Sequence, residues 1–287
     1  MEKIKNYKLK NILKTYFLIT LVMFLVAALV YFVLSVFSNL DFIIALFFAI
    51  FSSIVYILFG TLFGPKLILI SVGARPLKEL PDYERVKRII EELCKKVKIK
   101  EPELYYFKSE DINAFATGLF KNKSVIAITT GALKYLNDEE LAGVLGHEIS
   151  HIKNRDTLYM TITSVLVGFI SFLANMLVYS FFFDSRRRPT GVYILSILIS
   201  ILIPIIATII RLAISREREY LADLDSAEMN GNPNGLISVF KKIMRINRGE
   251  IPYNEAIEPL YFVSIEELFS THPPIEKRIE KLQKAFR

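Results

Sequence analysis

Residues Thr15–Phe37 form an uncharged, almost wholly apolar run of 23 residues, and no other feature of the chain restricts its fold as severely. As a helix, such a run matches the roughly 30 Å hydrocarbon core of a bilayer. Inside hydrocarbon every backbone N–H and C=O must be paired within the segment, so a lone run of this kind has to be helical. It is longer than the apolar core of a secretory signal, about 7 to 15 residues, and no small-x-small cleavage site follows, so an uncleaved anchor is expected. After the turn Ser38–Asp41 a second run, Phe42–Phe63, completes a hairpin. Leu158–Phe183 and Val192–Ile210 form another pair around Asp184–Gly191, with Pro204 placed to kink the last run.

The remainder of the composition agrees with a membrane setting. Hydrophobic residues make up 53% of the 287 residues and the net charge is +7. The basic residues flank apolar runs instead of forming a patch interleaved with aromatics, which argues against nucleic acid as a partner. Lys3, Lys5, Lys8, Lys10 and Lys14 before the first hairpin, and Lys66, Arg75 and Lys78 after it, place both its ends in the cytoplasm. The one cysteine, Cys94, has no cysteine to pair with and reads as a small buried residue in a reducing compartment.

Between the hairpins the pattern becomes that of a soluble lobe. Val86, Ile89, Ile90, Leu93 and Val97 recur at helical spacing, predicting an amphipathic helix. The stretches from Pro102 to Ser109 and from Ser124 to Leu133 read as strands, with Ile112–Gly118 between them. Asn137 followed by Glu140 reads as a helix start, and Leu141, Val144, Leu145, Ile149 and Ile152 continue at helical spacing. Gly143 and Gly146 leave room on that helix for close packing. The C-terminal part, from Ser215, is charged and soluble in character, with a turn at Gly231–Gly235 and a last helix from about Ile275.

The chemistry concentrates on the helix that starts at Asn137. His147 and His151 are four residues apart and share a face, so both imidazoles can reach one zinc ion. Glu148, one position round, suits a general base acting on a metal-polarised water without being a ligand, as in H-E-x-x-H metalloproteases. A third ligand must come from elsewhere, with Glu217 and Glu219 as candidates. Glu219 has Asp223 one turn on, placed to accept the spare ring N–H of a ligand histidine, whereas local ion pairing on an exposed helix would explain the same acids.

The segments Gly146–Asp156, Ser215–Asp223, Asn113–Gly118 and Ser270–Ile279 resemble the motifs of the HtpX-type zinc membrane proteases and, more distantly, of the CAAX prenyl proteases. The resemblance implies one Zn2+ per chain held by His147, His151 and Glu219, with Glu148 as catalytic base and Asp223 behind the ligands. It implies a gluzincin-like core and cleavage of membrane or misfolded proteins. It also implies that Asn113, Ala114 and the strand residues Val125, Ala127 and Thr129 bind an extended substrate chain, for which main-chain pairing would explain broad tolerance of sequence. His272, the remaining histidine, is either a donor to the reaction's oxyanion or a residue of the turn before the last helix.

His151 and Glu219 must meet at one ion, so the intervening apolar pair crosses twice or not at all. Two crossings put Arg186, Arg187 and Arg188 outside, while Lys153, Arg155, Arg211, Arg216 and Arg218 flank the same runs on the inner side. The inner count is larger, although a tilted or partly embedded hairpin is the alternative. If both flanking helices are continuous, the metal lies roughly 10 to 14 Å from the apolar zone.

The expected protein is thus a mostly α integral membrane protein with about four transmembrane helices and a small α+β gluzincin-like zinc metalloprotease domain. It is divided as an N-terminal hairpin (1–75), a protease lobe (76–157), a second hairpin (158–214) and a C-terminal lobe (215–287). Its expected place is the cell's inner membrane, with the zinc site on the cytoplasmic side. Its partners are the lipid bilayer and protein or peptide substrates in or near it. A selective processing protease, of a prenylated peptide for example, and a non-catalytic zinc scaffold are the alternatives. A purely structural site would need no base and would close its fourth position.

Overall fold

The computed structural model describes residues 41–118, 123–158, 160–161, 216–246 and 273–286, with scattered positions between 13 and 31. The expected spans Thr15–Phe37, Leu158–Phe183 and Val192–Ile210 lie largely outside the described residues. The chain divides into two compact units, Met1–Gly64 with Ile162–Ala213, and Pro65–Thr161 with Ile214–Arg287.

Helix α1, Phe42–Ser71, begins in the first unit. Among the described residues it is the one helix long and apolar enough to cross a membrane, over Phe42–Gly60. Most of its large apolar side chains are exposed, Ile43 by 74% and Leu62 by 69%, whereas the small Ala45, Ala49 and Ser53 are buried. In water such a surface would be penalised at about 25 cal/mol per Å2. The helix passes through Pro65 to Ser71 instead of ending near Phe63, because Leu67–Ile70 continue its apolar run and bury Ile68 and Leu69. Lys66 therefore lies within the helix. Gly73, at φ +64, ends it, letting the Ala74 N–H reach back to the Leu69 carbonyl at 2.8 Å.

The second unit is built on a four-stranded sheet in the order β1-β2-β4-β3. Its strands are β1 (Arg75–Pro76), β2 (Glu103–Phe107), β3 (Ala114–Gly118) and β4 (Ser124–Thr129). β2 and β4 are parallel, and the outer pairs are antiparallel. The expected second strand stops at Thr129, whose side chain accepts from Ala132 N and starts the short helix α3, Thr130–Tyr135. Helix α2, Tyr83–Val97, buries the predicted stripe Val86, Ile89, Ile90 and Leu93 together with Cys94. Burial pushes the Cys94 thiol up to about 12, which leaves it protonated and unreactive.

Helix α4, Asp138–Asn154, runs through the centre of this unit and is buried along most of its length. It packs against α2, β3, α5 (Arg216–Asn230) and α6 (Asn234–Ile246). Its two glycines explain the closeness. A Cβ on Gly143 would lie 2.9 Å from the Leu236 N of α6, and one on Gly146 would lie 2.7 Å from the Ser226 Oγ of α5. Helix α7, Ile275–Ala285, then packs on α5 and α6.

The start of α4 is closed by the predicted capping box. Asn137 Oδ1 accepts from Glu140 N, and Glu140 Oε2 accepts from Asn137 N, each at 2.9 Å. Glu140 also receives Ser238 Oγ at 2.6 Å and Lys242 Nζ at 2.7 Å from α6, so one carboxylate joins two helices. Burial pushes its pKa up, but the Lys242 and Ser238 bonds and the Asn137 N–H outweigh it and hold the group below its ordinary value. A lowered folded pKa contributes stability above the unfolded value of about 4.3, and that contribution is lost as pH falls through the folded value. Glu140→Gln should cost about 1–3 kcal/mol at neutral pH. In denaturant titrations its deficit against wild type should shrink on acidification below about pH 4; a deficit that does not change with pH would refute this account.

Candidate metal centre and active site

Helical periodicity places the donors. On α4, His147 and His151 are one turn apart, and on α5, Glu219, Asp223, Ser226 and Asn230 line one face. Ser226 Oγ donates to the Gly143 carbonyl at 2.6 Å and Asn230 Nδ2 to that of Ala142 at 3.0 Å, which sets the register of the two helices. In that register His147 Nε2 lies 3.0 Å from His151 Nε2, and each lies 3.5 Å from a different oxygen of Glu219. Donors bound about 2.0–2.1 Å from one ion at tetrahedral angles are roughly 3.3 Å apart, so the spacing fits a single small cation. This is the one cluster of metal-competent side chains among the described residues. Glu217, the other candidate for third ligand, is not in it.

The other ring nitrogens are held by acids. His147 Nδ1 donates to Asp223 Oδ1 at 2.9 Å and His151 Nδ1 to Asp156 Oδ2 at 3.3 Å, which leaves both Nε2 lone pairs aimed at the cavity between them. Such outer carboxylates set the tautomer and raise ligand basicity. Arg278, on α7, grips Asp223 with two bonds, Nε to Oδ2 at 2.8 Å and Nη2 to Oδ1 at 2.6 Å, and stacks over Phe240 at 4.4 Å. Burial pushes the Asp223 carboxyl up, but the charge and hydrogen bonds of Arg278 hold it below the usual range.

Burial likewise pushes the His147 imidazole down, yet its bonds to Asp223 and Glu219 prevail, and its pKa stands at about 9. A field that holds a proton there also favours a metal cation. The buried carboxylates of Glu148, Asp156, Glu219 and Asp223 face the guanidiniums of Arg218 and Arg278.

A family model described as peptidase family M48 matches residues 82–286, more than half of the chain. The chain belongs to peptidase family M48. A protease HtpX homologue from Dictyoglomus turgidum is 38% identical over 94% of this chain and 91% of its own. One from Pyrococcus furiosus is 41% identical over 79% of this chain and 81% of its own. Among solved structures, S. mikatae Ste24p is similar in fold, with a TM-score of 0.51 at 20% identity; the match spans 96% of this chain and 65% of that one. The M48 chain is therefore a metallopeptidase, and the resemblance read from its motifs holds.

The peptidase's other expected site residues fall differently. Glu148 is buried on α4 directly after His147; burial pushes the pKa of Arg278 down, but Asp223 above all, with Glu219 and Glu148, holds it raised. His272 lies outside the described residues. β4 is paired along both sides, to β2 and to β3, so Val125, Ala127 and Thr129 have no main-chain edge to offer an added chain. Thr129 is occupied in addition: its hydroxyl donates to the Asn113 carbonyl at 2.9 Å and accepts from Asn113 N at 3.0 Å. Ala114 stands on β3, the terminal strand of the sheet among the described residues, and Asn113 immediately precedes it.

Asp156, Arg218 and Arg278 were not anticipated as parts of the site. All three lay inside the quoted motifs, but only Asp223 had a helical spacing that announced its role. The condition attached to the 10 to 14 Å height, a continuous histidine helix, is not met. α4 ends at Asn154, and Arg155 turns left-handed at φ +62.

Proposed function

We propose that the chain is a zinc-dependent membrane endopeptidase that cleaves membrane or misfolded proteins, with Glu148 as its general base. The observation that carries this reading is the convergence of His147, His151 and Glu219 with both outer imidazole nitrogens tied to carboxylates. Two nitrogens and a carboxylate would leave a zinc ion's fourth position open, the pattern of catalytic sites. Zinc held by these residues would act as a Lewis acid, polarising the scissile carbonyl and acidifying water. Glu148 takes the proton of the attacking water and returns it to the leaving amine, a transfer that its position beside His147, outside the ligand set, allows. An extended substrate pairs along β3 next to Asn113 and Ala114, which the terminal place of that strand supports.

The bare apolar surface of α1 supports residence in the bilayer, and the lysines and arginines flanking the apolar runs favour a cytoplasmic site. To test this, purified full-length protein is incubated with a mixture of unfolded membrane proteins, with and without a chelator, and the new termini are sequenced. Cleavage of many unrelated substrates, abolished by the chelator and absent from a Glu219→Ala variant that has lost stoichiometric zinc, is the expected result. Cleavage confined to one defined peptide would favour the selective processing alternative. Full zinc occupancy in the Glu219→Ala variant would move the third ligand elsewhere.

A further inference from the structure

In an unbroken helix, a residue five positions after His151 would lie about 140° round the axis and face away from the imidazole. The break after α4 alters that. Arg155 takes φ +62 and ψ +25, its N–H turned back to the carbonyls of His151 and Ile152, and helical structure resumes at Asp156. The turn swings the Asp156 carboxylate under the ring, with Oδ2 3.3 Å from His151 Nδ1. Its other oxygen accepts from Arg218 Nη1 at 2.9 Å. His151, Asp156 and Arg218 are all buried, and Arg218 directly precedes Glu219 on α5. The segment that follows Asp156 is fastened in turn. Thr161 Oγ1 lies 2.9 Å from Thr117 Oγ1 and accepts from Gly118 N at 3.3 Å, both on β3.

We propose that Asp156 is a positioning residue of the metal centre. It holds His151 through Nδ1, keeps the proton on that nitrogen and so presents the Nε2 lone pair to the metal, while Arg218 fixes the carboxylate's orientation. Each ligand imidazole then has its own carboxylate backed by its own arginine: Asp223 with Arg278 for His147, and Asp156 with Arg218 for His151. The first pair is supplied by packed helices. The second is supplied by a left-handed residue that folds the chain back on the histidine it has just passed. This rests on the reading of His147, His151 and Glu219 as a metal site.

The test uses full-length protein in detergent, loaded with Co2+ for its d–d absorption, which reports ligand geometry, or with Zn2+ for affinity by competition with a chromophoric chelator. Asp156→Asn should shift the cobalt spectrum and weaken metal affinity roughly 10- to 100-fold. The double variant Asp156→Asn with Arg218→Met should keep that loss, because the imidazole still lacks its carboxylate. Wild-type affinity in the double variant would mean that Asp156 serves only to neutralise Arg218, and would overturn the proposal. An unchanged spectrum and affinity in the single variant would overturn it too. Should Asp156→Asn not fold, Asp156→Glu keeps the charge facing Arg218 but displaces the carboxylate by one methylene; a shifted cobalt spectrum is expected, and a wild-type spectrum counts against the proposal. A wild-type protein that binds neither metal sinks the metal reading itself, which is distinguishable from a variant that matches a metal-loaded wild type.

Discussion

Glu148→Gln is expected to lower peptide hydrolysis roughly a hundred- to ten-thousand-fold while leaving bound metal stoichiometric. The two readouts separate because of where the residue sits. The side chains that could together hold the metal are His147, His151 and Glu219, and Glu148 is not among them. Glutamine keeps the shape of the side chain but has no carboxylate to take a proton from water, so proton transfer fails and metal binding does not. On a buried helix face this isosteric change disturbs packing little, whereas Glu148→Ala would also open a cavity. Single-turnover cleavage of a fluorogenic peptide, with metal analysis of the same preparation, measures both quantities. A metal-loaded Glu148→Gln protein that cleaves at the wild-type rate would remove Glu148 from the chemistry.

Arg278→Met should be the most damaging single change to folding in the second unit. Arg278 is 1% exposed, and its guanidinium holds both oxygens of Asp223 and lies over the Phe240 ring. Breaking such a pair leaves a charge buried without its counter-ion, at a cost of about 3–5 kcal/mol. The loss propagates to the metal, because Asp223 is what orients His147. Replacing both members, Arg278→Met with Asp223→Leu, should recover much of the stability, since buried ion pairs exchanged for apolar groups of similar volume are often neutral. It should not recover metal affinity, because His147 would still lack its carboxylate. Denaturant unfolding and chelator competition on the three proteins check this pattern. A single-variant loss below about 1 kcal/mol would show that the pair is not buried as described.

Much of the candidate site was legible in the chain because its metal-competent residues recur at helical spacing. His147 and His151 follow from i,i+4 geometry on one helix with Glu148 one position round, and Glu219 is separated from Glu217 by having Asp223 one turn on the same face. The capping box at Asn137 and the stripe of α2 were legible for the same reason: each pattern is complete within a few residues. The long reach of α1 past Phe63 was obscured by Lys66, since one charge in an apolar sequence resembles a boundary even where Pro65 and its neighbours continue the helix. β4 was readable as a strand, but nothing in its composition distinguishes a central strand from an edge. Its two pairings exist only once β2 and β3 are placed beside it.

By itself, then, the sequence determined which residues could bind a metal and which apolar runs could cross a bilayer, because both depend on spacing along the chain. Tertiary structure decided what holds the ligands in place. Asp156 reaches His151 only because Arg155 reverses the helix, and Arg278 reaches Asp223 only because α7 packs back on α5. Such contacts join groups whose separation along the chain carries no period. They form where the burial of apolar faces elsewhere brings the elements together, and a buried charge then requires a counter-ion at that point.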